Sequence, residues 1–104
     1  MKLILDTEER NVAGPRVKAA RLENNMTQKE LSIKLETLAV YIDRASISKL
    51  EQQKRIITDI ELLALSQVLN VSVNWLLGIE KWFVLIKNII SLTIVFVNSV
   101  TSLW

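Results

Sequence analysis

Few side chains in this chain are able to do chemistry. Its 104 residues include no Cys and no His, which removes thiol nucleophiles, disulfides, zinc fingers and any Ser-His or Cys-His pair. Asp6, Asp43, Asp59 and the glutamates show no paired-carboxylate pattern suited to acid and base catalysis, and several stand where helices begin. Neither an enzyme nor a cofactor or metal site is expected. The cations offer more. Arg44 and Lys49 share one short segment, RASISKLEQ, with Ala45, Ser46 and Ser48 between them. The major groove of B-DNA admits a single helix that carries short polar or cationic side chains near its start and buries its other face. Arg44 is the candidate for guanine, because a guanidinium can bond O6 and N7 together, with a discrimination of about 1–3 kcal/mol against a wrong base. Ala45 is suited to a thymine methyl, and Ser46 and Lys49 to phosphate or base edges. Taken alone, Arg44 and Lys49 read more economically as a solvated face.

The elements that must position these residues are legible from their punctuation. Only two Gly and one Pro occur, and apolar and polar residues rarely alternate before the last quarter, so helices are expected. Gly14-Pro15 opens the first, which runs to Asn24-Asn25, residues that tolerate a left-handed ending. Thr27 and Glu30 fit a capping box, and a second helix follows over 28–37. Asp43 caps a third over 44–52, with Ile47 and Leu50 turned inward. Thr58 and Glu61 form another capping box, opening a fourth helix that ends near Asn70. Ser72 caps VNWLL, and Gly78 closes that last short helix.

The string from Thr27 to Glu51, together with NVSVNWLLG at 70–78, resembles the helix-turn-helix of the phage Cro and repressor class, often called XRE-like. The resemblance covers residues 12–79 and rests on five features in order: a basic first helix, the T-Q-x-E-L start, S-I-S-K-L-E, T-D-x-E-L, and the V-S-x-x-W-L-L-G end. Two departures are visible. The connection LETLAVYID is longer than the family's tight turn, and Glu51-Gln52-Gln53-Lys54 lacks the common Asn-Gly. The resemblance implies an all-α, five-helix, lambda-repressor-like DNA-binding domain followed by an apolar tail. It implies base contacts for the third helix and backbone contacts for Thr27 and Gln28, consistent with the free amides at a helix start. It also implies that Arg21 pairs with Glu51, a structural clamp rather than a reader. Arg16 and Lys18 in the first helix, and Lys54 with Arg55 after the third, are further candidates for phosphate; generic solubilising charge is the alternative for each.

The division expected is an N-terminal arm over 1–11, the DNA-binding domain over 12–80 and an apolar segment over 81–104. Residues 1–80 hold 11 Lys and Arg against 11 Asp and Glu, so net charge argues for no partner. A neutral domain binds DNA only through cations clustered on one side, and pairing of two subunits on half-sites about 34 Å apart is the usual remedy for weak single-domain binding. The expected function is therefore a sequence-specific, repressor-like transcriptional regulator, acting on double-stranded DNA as a homodimer. The competing reading is an antitoxin-like interaction module that docks a toxin-like protein through its tail. Residues 82–104 hold one charge, Lys87. Seventeen uncharged residues from 88 reach about 25 Å as a helix, short of an approximately 30 Å hydrocarbon core, whereas a start at Trp82 suffices if Lys87 snorkels. A membrane span, a dimerisation element, a β-ribbon and a tail without a role all stay open. No signal-peptide pattern precedes the domain, so it is expected in the cytoplasm, with or without a membrane tether.

Overall fold

Hydroxyls and carboxylates start four of the five helices. The computed structural model describes residues 8–79 and is helical throughout its regular structure: α1 (Gly14–Glu23), α2 (Gln28–Glu36), α3 (Arg44–Glu51), α4 (Asp59–Leu69) and α5 (Val73–Leu76), with no strand among the described residues. Thr27 accepts from the Glu30 amide, Asp43 from Ser46, Thr58 from Glu61 and Ser72 from Trp75. Each bond satisfies an amide that the first turn leaves without a partner. The Thr58 box is reciprocal, since Glu61 accepts the Thr58 amide at 3.0 Å. The Thr27 box is not. Glu30 accepts a hydrogen bond from the Thr27 hydroxyl at 3.2 Å instead of from the cap amide. The α1 helix has no side-chain bond from its cap residue, Ala13. Asn11 substitutes, accepting the Gly14 amide at 2.8 Å.

All five helices end by one device. The residues with positive φ among those described are Asn25, Ala39, Gln53, Asn70 and Gly78. Each follows a helix, and the next amide returns to a carbonyl five residues earlier: Met26 to Arg21, Val40 to Leu35, Lys54 to Lys49, Val71 to Ser66 and Ile79 to Asn74. This is the Schellman motif, which occupies carbonyls otherwise left open. Asn and Gly suit the left-handed position, but Ala39 at φ 59° and Gln53 at φ 62° do not. Ala39 is exposed. Ala39→Gly should accordingly raise stability by about 1 kcal/mol, read as a higher denaturation midpoint at constant slope. An unchanged or lower midpoint would show that Ala39 is not strained there.

The inward faces of the helices build one core, in which Val17, Leu31, Leu35, Ile47, Leu50, Leu65, Leu69 and Leu76 are sealed from solvent. Burying each such aliphatic contributes about 1.5–3 kcal/mol. Trp75 is half-buried against this core. α3 lies against both α1 and α2, and α5 against α1 and α4. Close approach of α1 to α3 depends on Gly14, because a Cβ there would collide with the Leu50 carbonyl oxygen and stand 3.0 Å from that of Glu51. The boundary expected between residues 11 and 12 does not coincide with a break in packing. Asn11 donates to the Leu50 and Arg55 carbonyls at 3.0 and 2.8 Å, and the Arg10 amide donates to Gln53 at 3.0 Å. The rest of the arm (1–7) and the apolar segment (81–104), with its span, dimerisation and β-ribbon readings, lie outside the described residues. No helix among the described residues is long and apolar enough to cross a membrane.

Candidate nucleic-acid interface

Two opposite faces of α3 do different work. Ile47, Leu50 and Glu51 are buried, and at about 100° per residue they occupy one side of the helix. Ala45, Ser48, Lys49 and Gln52 fall on the other side, and Arg44, seven residues before Glu51, opens the helix on the flank between the two; Ser48 is half-buried and the rest are exposed. With Arg44 at its edge, this outward face carries two cations, two hydrogen-bonding groups and a methyl. Gln52 donates its amide to the Ser48 hydroxyl at 3.0 Å, so the two polar groups are linked across one turn.

Of the four residues expected to meet bases, Ala45 and Lys49 share that face and Arg44 is exposed at its edge, in the first turn. Ser46 does not share it. It points toward the cap, where its amide donates to Asp43 at 2.7 Å. The Asp43 carboxyl is held below its usual range by the backbone N–H of Ser46 first, then by the Ser46 hydroxyl, with smaller help from Lys49 and Arg55. The cap therefore stays ionised at neutral pH. Ser48, which spacing also turns outward, and Gln52 complete this outward face.

Behind the face is an ion pair out of solvent. Arg21 Nε donates to Glu51 Oε2 at 2.7 Å and Nη2 to Oε1 at 3.1 Å, with side-chain exposures of only 8% and 3%. Arg21 Nη1 also donates to the Met26 carbonyl at 2.8 Å, and Gln28 Nε2 to Glu51 Oε1 at 3.1 Å. One carboxylate thus ties α1, the α1–α2 turn and α2 to α3. The Gln28 amide is spent on this network, and the Thr27 hydroxyl on Glu30. What these two positions still offer outward is the start of α2 itself, where Gln28 is half-buried.

The remaining cations divide. Lys18 lies one turn from Gly14, on the side of α1 that meets α3, and is exposed. Arg16 lies on the opposite side of α1, its guanidinium 5.7 Å from the centre of the Trp75 ring and against Gly78. The structure therefore does not bring Arg16 together with the α3 face, because a flat cation over an indole ring is already well satisfied. Arg55 is held by Glu61 at 3.0 and 3.2 Å. Burial raises the Glu61 carboxyl, but the bonds from Arg55 and the Thr58 amide outweigh it and the net shift is downward. Lys54, in the left-handed turn at the end of α3, is exposed.

Comparison with known proteins bears on this surface. A family model described as helix-turn-helix matches residues 17–76. Among solved structures, the chain is similar to the P22 c2 repressor protein in its complex with synthetic operator 9T in the presence of Tl+. The identity is 26% and the TM-score 0.57, covering 67% of this chain and 98% of that one. No curated protein matches the chain.

Proposed function

The chain belongs to the helix-turn-helix family, in its XRE-like class, and from that membership we propose that it is a DNA-binding transcriptional regulator whose α3 enters the major groove. The observation that carries this reading is the outward side of α3, where Ala45 and Lys49 are exposed, Ser48 is half-buried and Arg44 is exposed at the helix start, on a helix anchored by Ile47, Leu50 and Glu51. Arg44, as the first residue of the helix, has the reach and the planar fork to read a guanine. Lys18 and Lys54, both exposed, are the proposed partners of phosphates, and the amides opening α2 can bind another. The proposed unit is residues 12–80, reinforced by Arg10 and Asn11.

Repressor-like action as a dimer is the finer part of the proposal. It is supported by Ile60 and Leu63, exposed by 66% and 57% and one turn apart on α4, and by Ile56, exposed by 67%, in the segment leading into that helix. Three aliphatics make a small contact, below the roughly 800 Å² per partner of a standard interface, so pairing of this kind would be strengthened by DNA that holds two copies together.

The test is enrichment of a duplex from a random pool by the full-length chain. A sequence with two related half-sites should emerge, and failure to retain any duplex over nonspecific competitor would overturn the reading. Lys18→Ala should weaken binding to the enriched and to an unrelated duplex alike, and should flatten the dependence of log affinity on log salt by about one unit of slope for each phosphate that is no longer neutralised.

A further inference from the structure

The longer connection between α2 and α3 holds one aromatic side chain out to solvent. Tyr41 is 76% exposed, between half-buried Val40 and buried Ile42. Its neighbours fix it. The Val40 amide donates to the Leu35 carbonyl at 3.1 Å, the Ser32 hydroxyl donates to the Ile42 carbonyl at 2.6 Å, and Asp43 is committed to capping α3. The left-handed turn at Ala39 sends the chain into this segment. With Val40 and Ile42 anchored in the core and their polar groups tied, the residue between them has one direction left, away from the protein. Tyr41 thus stands two residues before the cap of the reading helix, on its approach to Arg44.

We infer that Tyr41 is a DNA-backbone contact, its phenol donating a hydrogen bond to a phosphate oxygen at the edge of the groove that α3 enters. The inference rests on the reading of α3 as the groove-entering helix. Side chains that reach base edges come from the N-terminal residues of such a helix, so a residue just ahead of it stands near the phosphates that wall the groove, and Tyr is among the side chains that bond phosphate oxygens. A phenol is a neutral donor of the kind that makes such contacts. The long connection is therefore a second point of attachment, which fixes the angle at which Arg44 is presented.

This assignment has a signature that separates it from both a cation and a base reader. A neutral donor displaces no counterion, so its removal lowers affinity without changing the salt slope. A phosphate contact carries no sequence information, so the weakening is equal on every duplex. Tyr41→Phe keeps the ring and removes only the hydroxyl, and at an exposed position it leaves the fold intact. We expect the full-length variant to bind the enriched duplex and a scrambled duplex of equal length about tenfold more weakly per protomer, as for one hydrogen bond to a charged oxygen, with parallel salt dependence at low and at physiological ionic strength. Ethylation interference on the enriched duplex should show one phosphate fewer per half-site in the variant. Wild-type affinity on both duplexes, a weakening confined to the enriched duplex, or a flattened slope would each overturn the assignment. If the wild-type chain retains no duplex, the regulatory reading fails and takes this contact with it; wild-type binding with an unaffected Tyr41→Phe removes the contact alone.

Discussion

Glu51→Ala should destabilise the protein by about 3–5 kcal/mol, the cost of leaving one partner of a buried ion pair without its counter-charge. The Arg21 guanidinium would keep only the Met26 carbonyl at 2.8 Å, and Gln28 would lose its acceptor. For a domain of this size, whose total stability is of the order of 5–15 kcal/mol, that is a large share. Chemical denaturation followed by helical circular dichroism is the measurement, with the midpoint falling and the slope preserved. The pair itself need not contribute net stability, since desolvation of both charges offsets much of their attraction. An Arg21→Met, Glu51→Leu double variant should therefore recover most of what Glu51→Ala loses. If Glu51→Ala were nearly silent, the fastening of α1 and α2 to α3 would have to rest on the aliphatic core alone.

Arg44→Ala carries the largest effect expected on recognition. Affinity for the enriched duplex should fall by about 10- to 100-fold, the 1–3 kcal/mol of a bidentate guanine contact, while binding to an unrelated duplex falls far less. Stability should stay at the wild-type value, because Arg44 is exposed and takes no part in the core. Arg44→Lys is the informative companion: it restores the charge but not the planar fork, so nonspecific affinity should return and discrimination should not. Competition titrations with the two duplexes read both quantities. An Arg44→Ala protein that still protected the same site in a footprint would show that α3 is not the reader.

These variants act on features that are unequally visible in the sequence. Helix starts are plain, because Thr27, Asp43, Thr58 and Ser72 each cap through their own side chain on a neighbouring amide, a purely local bond. Helix ends are visible only where the residue suits the left-handed conformation, as at Asn25, Asn70 and Gly78. Ala39 and Gln53 adopt the same conformation against their own preference, since the packing of the helices on either side sets the turn. The capping box at Thr27 is half formed for a similar reason: whether Glu30 reaches the amide or the hydroxyl is a matter of side-chain placement that spacing does not encode.

Among the site residues, a count along α3 separates the buried face from the rest but does not say which polar side chain is already engaged. Ser46 is held by Asp43, Gln28 by Glu51 and Arg16 by Trp75. The last two of these partners are distant in sequence. Asn11 accepts the Gly14 amide locally, but its own amide donates to carbonyls 39 and 44 positions away, which no spacing signals.

By itself, then, the order of residues determined the number of helices, their starting points, which stripe of each is apolar, and the family. All of these follow from interactions within a few positions along the chain. Only the folded arrangement decided which cations face outward beside α3, which are held inside, where the arm attaches, and that Tyr41 is left exposed ahead of α3. Those depend on groups brought together from distant parts of the chain, and such meetings are governed by how the helices pack, which no local spacing specifies.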